Sequence, residues 1–269
     1  MCKECGCGLG GGEVKIGGHS HEHGHDHGHG HAHGHDHHHH HEQEHSHGGK
    51  TLSLNLSLLE KNARLAEQNR GFFRAKKLLV LNVVSSPGSG KTTFIRETAA
   101  KLAGRLRVGV IVGDLATDND AAKLRTAGIP VVQITTGTVC HLDADMVAKA
   151  AAQLDLDQLD VLVIENVGNL VCPADYDLGE DLRVVLLSVT EGEDKPLKYP
   201  PLFHSAHVAV VTKSDMASAA GFDRELALQN LERVSHHARI FELSAKTGDG
   251  MKPWLDFLAE RRATISSSR

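Results

Sequence analysis

Sixteen of the chain's 21 histidines fall between His19 and His47, most of them alternating with Gly, Glu or Asp. They are His19, His21, His23, His25, His27, His29, His31, His33, His35, His37, His38, His39, His40, His41, His45 and His47. Neutral imidazole is the commonest side-chain ligand for borderline divalent metals such as zinc, nickel and copper. A stretch such as His27-Gly28-His29-Gly30-His31 is too flexible to fix one coordination geometry, so the tract is expected to hold several ions loosely, as a metal store. The plain alternative is a solvated low-complexity tail or a purification tag. A tag is usually a clean run at a terminus, whereas 37–41 sits inside a longer His-Gly pattern. Ahead of the histidines, Cys2, Cys5 and Cys7 form Cys-x-x-Cys-Gly-Cys. That is a chelating spacing, in a segment with no core in which to bury thiols; a redox dithiol is the competing use.

A second constellation is Ser85-Ser86-Pro87-Gly88-Ser89-Gly90-Lys91-Thr92-Thr93. The phosphate-loop pattern asks for Gly, four residues, then Gly-Lys-Ser/Thr, and only its first position departs here, as Ser85. Gly88, Ser89 and Gly90 let backbone amides close around phosphate oxygens, with the helix start adding its positive end. Lys91 is expected on the β and γ phosphates, Thr92 on magnesium and Thr93 beside the nucleotide. Further on, Thr212-Lys213-Ser214-Asp215 follows an apolar run. A carboxylate at Asp215 accepts both N1–H and N2–H of guanine, whereas adenine presents an acceptor at N1, so the pattern selects GTP over ATP. Lys213 can lie along the base plane. Ser244-Ala245-Lys246 resembles the segment whose backbone contacts the guanine oxygen in GTPases. Asp114 and Glu165 follow apolar runs and are the expected magnesium carboxylates, with Asp120 as a switch-loop alternative. Asp118 and Asn119 read equally well as helix caps. With Lys91 and Asp114 as the catalytic pair and no counterpart of the glutamine that orients water in fast GTPases, slow hydrolysis is expected.

Cys140, His141 and Cys172 admit two readings: small buried residues, or three soft ligands on loops at the nucleotide end.

These groups need a scaffold. Residues 78–84, 108–112, 131–134, 161–164, 184–189, 208–211 and 240–243 are short apolar runs of the kind found in buried parallel strands. Helical patterns at 57–77, 91–102, 119–127, 144–154, 223–236 and 252–262 lie among them. The alternation implies an α/β fold, a doubly wound, mostly parallel sheet with helices on both faces. Ligands of such sheets bind at the carboxyl ends of the strands, where the candidate residues lie.

Residues 1–50 carry three lysines against seven carboxylates, a formal charge of −4 that is most of the chain's −5. With few large apolar side chains they are expected to be a disordered metal-binding tail, suited to cations rather than nucleic acid or an anionic membrane. Residues 51–269 are long enough for one phosphate-loop GTPase domain. No stretch approaches the ~20 apolar residues of a membrane span and the N-terminus is polar, so a cytoplasmic chain with reduced thiols is expected.

The chain resembles the HypB family, GTPases that insert nickel during nickel–iron hydrogenase maturation. The resemblance is carried by Cys2-x-x-Cys5-Gly-Cys7, the phosphate loop, and Gly113-Asp114 leading to Asn119-Asp120-Ala121. It continues through Cys140-His141, Glu165-Asn-Val-Gly-Asn-Leu-Val-Cys-Pro173 and Thr190-Glu-Gly-Glu-Asp-Lys195. It implies a homodimer formed on GTP or metal binding, and a nickel or zinc site at Cys140, His141 and Cys172 near the dimer interface. It further implies transfer of nickel from the tail to that site and on to a HypA-type accessory protein or the hydrogenase large-subunit precursor. Since ligands must be deprotonated, the tail is expected to release metal as pH falls below roughly 6.5. A urease-type nickel GTPase, and a nickel store whose GTPase domain serves only to dimerise, are the competing readings.

Overall fold

The computed structural model describes residues 15–16 and 47–267. Eight strands form one sheet: β1 (Lys15–Ile16), β2 (Leu79–Ser85), β3 (Val108–Asp114), β4 (Val131–Thr135), β5 (Val161–Gly168), β6 (Leu182–Ser188), β7 (Val208–Thr212) and β8 (Arg239–Glu242). Their order is β1-β4-β3-β5-β2-β6-β7-β8, with β1 antiparallel and the rest parallel. The helices are α1 (His47–Ala75), α2 (Lys91–Leu102), α3 (Asn119–Thr126), α4 (Ala144–Ala151), α5 (Lys195–Lys198), α6 (Pro200–His204), α7 (Ala217–Ala220), α8 (Arg224–Ser235) and α9 (Met251–Ser267).

The central strands are apolar on both faces because helices cover both. Leu79, Leu81 and Val83 of β2 face a core with Phe94 of α2 and Trp254 of α9, while Val80 faces Phe73 of α1 and Val147 of α4. In β6 and β7, Val185, Leu187, Ala209 and Val211 meet Phe203 of α6 and Leu231 of α8. This period of two is what turns an unbroken hydrophobic run into a two-sided wall.

Several boundaries differ from the sequence pattern. Two pieces of the 1–50 segment enter the fold. Lys15 and Ile16 pair with Thr135 and Ile134, and Ile16 packs against the core beneath α1 and α4. Pairing at a sheet edge is carried by main-chain bonds and needs no buried core of its own. Helix α1 begins at His47, ten residues before the expected start, since extending an existing helix costs far less than nucleating one. Strand β5 runs four residues past its apolar stretch, so Glu165 and Asn166 are buried inside a strand rather than at its end. The helices α5, α6 and α7 and the strand β1 are too short to show a period.

Candidate nucleotide and metal sites

The loop between β2 and α2 curls back on itself. Gly88 and Gly90 have φ of 76° and 97°, the left-handed region that glycine adopts without cost from a Cβ. Ser85, where the strict pattern has glycine, is fully buried, and its hydroxyl contacts that of Ser89 and donates to the Ser86 carbonyl. Lys91 is buried at the head of α2, with Nζ donating to Ser85 Oγ at 3.0 Å and to the Ser86 carbonyl at 3.4 Å. Burial pulls its pKa below the ordinary lysine value, against the opposing fields of Glu165, Asp120, Glu191 and Asp114.

One residue beyond, Thr92 Oγ1 donates to Glu165 Oε1 at 2.7 Å. Glu165 is 3% exposed, and its Oε2 is buried without a hydrogen-bond partner. Desolvation pushes this carboxyl up to about 7, despite the Thr92 hydrogen bond and the charge on Lys91. An orphaned carboxylate oxygen beside a threonine hydroxyl fits a hard cation such as magnesium. Asp114 and Asp120 lie close enough to act on both Lys91 and Glu165. Asp114 Oδ1 also accepts from the Ala116 and Thr117 amides at 2.9 Å, shaping the following turn, while Asp120 pairs with Lys123. Asp118 occupies the N-cap position of α3 without a capping bond and pairs with Arg125 instead.

The base-recognition candidates converge on one cleft of about 190 Å³. Ser89, Gly90, Thr93, Phe94, Thr212, Lys213, Asp215, Met216, Ser244, Ala245 and Lys246 line it. Ser244 Oγ donates to Asp215 Oδ1 at 2.6 Å, fixing the carboxylate. Thr212 Oγ1 donates to the Ser89 carbonyl at 3.1 Å, which locks β7 to the phosphate loop. Lys213, at φ 59°, sends Nζ to the Gly88 carbonyl at 2.8 Å, so its stem crosses the cleft.

The metal candidates meet as well. The potential ligand atoms of Cys140, His141 and Cys172 all lie within 4.8 Å of one another, with the two sulfurs 2.7 Å apart. Asn169 Nδ2 holds the Cys140 carbonyl at 3.1 Å. The His141 ring stacks on Tyr176, centroids 3.8 Å apart, and its buried Nδ1 has no hydrogen-bond partner. Burial lowers the His141 pKa, against the fields of Asp143 and Asp175, and so favours the neutral, ligating imidazole. An imidazole nitrogen within 4.8 Å of two thiol sulfurs fits the donor set of zinc or nickel. Cys2, Cys5, Cys7 and the histidines from His19 to His45 lie outside the described residues; His47 opens α1.

Three contributors were missed in the sequence. Ser86 Oγ donates to Glu191 Oε2 at 2.6 Å, placing a further carboxylate on the phosphate loop. Its signal was available, since Thr190-Glu191 follows the apolar β6 run. Asn169 stood inside the Glu165–Pro173 motif without a role of its own, and Tyr176 carried no signal, because loop stacking leaves no period.

The CobW/HypB/UreG nucleotide-binding domain model matches residues 79–242. The hydrogenase maturation factor HypB of Escherichia coli K12 is 50% identical over 213 residues, covering 79% of this chain and 73% of that protein. A probable hydrogenase maturation factor HypB from Methanocaldococcus jannaschii is 37% identical over 77% of this chain and 94% of its own length. The crystal structure of Helicobacter pylori HypB in complex with nickel superposes with a TM-score of 0.73 at 39% identity, covering 77% of this chain and 98% of that one. With a phosphate-loop core over β2 to β8 and this degree of likeness, the chain belongs to the HypB family of hydrogenase maturation factors.

Proposed function

We propose that this chain is a GTPase that stores nickel and delivers it to the hydrogenase large-subunit precursor. GTP binding and slow hydrolysis switch dimerisation and metal transfer. The observation that carries the reading is the bonding between the two sites. The Thr136 and Gly137 amides donate to the Asp114 and Leu115 carbonyls, each at 2.9 Å, so the loop leading to Cys140 hangs on the segment that carries a magnesium candidate. On the other side, Glu165 and Cys172 are seven residues apart on one run of chain.

In this reading Gly88 to Thr92 and Lys91 hold the phosphates, and Asp215 with Ser244 reads guanine. Thr92 and Glu165, with Asp114 or Asp120, hold magnesium, which supplies charge neutralisation on the phosphates. Cys140, His141 and Cys172 take nickel, or zinc at rest. The tail histidines and Cys2, Cys5 and Cys7 supply the ion, and a HypA-type accessory protein is a partner in the transfer. A second client is supported by one relative, the hydrogenase/urease maturation factor HypB of Helicobacter hepaticus, 39% identical over 80% of this chain and 89% of its own length.

The test is a nickel titration of the full-length chain with Cys2, Cys5 and Cys7 changed to Ser, followed by thiolate-to-nickel charge-transfer absorption. It is run with GDP and with a non-hydrolysable GTP analogue. Different affinities in the two states support switched delivery. Equal affinities would leave nickel handling to the tail and reduce the GTPase domain to a dimerisation module.

A further inference from the structure

Asn62 and Asn69 stand seven residues apart on α1, two helical turns and therefore one face, and each is 6% exposed. Both reach out of the helix to the segments that follow the metal candidates. Asn62 Oδ1 accepts from the Ala144 amide at 2.9 Å while its Nδ2 donates to the Asp177 carbonyl at 2.8 Å. Asn69 Nδ2 donates to the Ala144 carbonyl at 2.8 Å and to the Leu178 carbonyl at 3.1 Å. Ala144 lies three residues after His141, and Asp177 and Leu178 lie five and six after Cys172.

The docking is close. Gly179 has φ 88°, and a Cβ there would lie 2.7 Å from the Ala66 carbonyl oxygen and 2.9 Å from the Arg70 nitrogen of α1. Arg70 then closes the seam with two bonds to Asp177, at 2.8 and 2.7 Å.

We propose that Asn62 and Asn69 are positioning residues of the metal site: bonded to both ligand-bearing loops at once, they make α1 the bar that sets the spacing of Cys172 from Cys140 and His141. The inference rests on the reading of that trio as the nickel site. A primary amide is the side chain that suits the task, with donor and acceptor together. Aspartate at 69 would face two carbonyls, and leucine, of similar shape, would leave buried backbone groups unpaired.

The experiment uses the same full-length Cys2, Cys5 and Cys7 to Ser background, so that charge-transfer absorption reports Cys140 and Cys172. Nickel and GDP affinities are measured for the parent, for N62L/N69L, and for K76A, which breaks the Lys76–Asp157 pair at the far end of α1. Expected is a nickel affinity at least about tenfold weaker in N62L/N69L, the scale on which residues behind metal ligands act. GDP affinity stays within about twofold, and K76A leaves both unchanged. A folded N62L/N69L with parental nickel affinity overturns the proposal. So does a variant that loses nickel and GDP together, which would make the asparagines general supports of the fold. Should the double variant fail to fold, N62L alone is judged by the same criteria. A parent without a charge-transfer band would instead remove the nickel site itself, and this inference with it.

Discussion

The carbonyl of Asp114 accepts the amide of Thr136 at 2.9 Å, four residues ahead of Cys140. A change at the Asp114 turn would pass through this main-chain bond to the loop that leads to Cys140 and His141. Binding linkage requires reciprocity: if GTP alters nickel affinity by some factor, nickel alters the preference for GTP over GDP by the same factor, about 5- to 150-fold in coupled systems. The nucleotide side can be read alone, by competing GDP against a non-hydrolysable GTP analogue with and without nickel. A preference that nickel leaves unmoved would disconnect the two sites.

Glu165 gives a pH signature. Its carboxyl titrates at about 7 in the fold because burial disfavours the charge. A pKa raised on folding favours the protonated form, so this stability is complete below the unfolded value of about 4.5 and is lost as pH rises through 7. The full swing is on the order of 3 kcal/mol. E165Q, neutral throughout, should be the more stable metal-free protein at pH 8 and show a flatter dependence of urea midpoint on pH. If Glu165 holds magnesium as proposed, the ion must displace the same proton, so magnesium-dependent nucleotide binding should weaken below pH 7 in the parent. Parallel stability curves for parent and E165Q would remove Glu165 as the titrating group.

Base selectivity should rest on Asp215. Two hydrogen bonds from guanine to a carboxylate, each about 1.5–3 kcal/mol, predict a loss of roughly a hundredfold or more in GDP affinity for D215A. S244A leaves the carboxylate in place and removes the bond that steadies it, along with the acceptor for the Thr247 amide, so about tenfold is expected. Isothermal titration with GDP, and with ADP as control, separates the cases; equal losses for both nucleotides would point to damage rather than base reading.

The gathering of the nucleotide candidates in one place was legible in the residues, because phosphate and guanine recognition, as proposed here, would force residue types onto fixed spacings. Ser85 to Thr93 and Thr212 to Asp215 are such strings, and the structure lines one cleft with the second and part of the first. The metal trio was less legible. Cys140 and Cys172 are 32 residues apart, and nothing in their spacing shows that their sulfurs meet; the fold brings them within 2.7 Å. Asn62 and Asn69 were invisible, because a polar residue on a long amphipathic helix reads as solvated. Tertiary packing of α1 onto the 177–179 turn and the start of α4 buries them.

The most buried ion pair among the described residues makes the last prediction. Arg183 and Glu180 are 7% and 4% exposed and lie 2.9 Å apart. Arg183 also donates to the carbonyls of Ala174 and Tyr176 and to Ser205 Oγ, while Glu180 accepts from Asn82 and the Leu178 amide. Every strong group is thus satisfied, and the pair bridges β6 to the turn that follows Cys172. Removing one partner leaves a buried charge alone, which costs about 3–5 kcal/mol. In a domain of this size that is roughly a 10 °C fall in Tm. R183A should therefore melt far below the parent, whereas R183M/E180L, which removes both charges, should recover much of the loss. Scanning calorimetry of the three proteins decides it: a double variant melting no higher than R183A would mean that the unpaired charge is not the cost, and an R183A protein melting within about 2 °C of the parent would mean that water already reaches the pair.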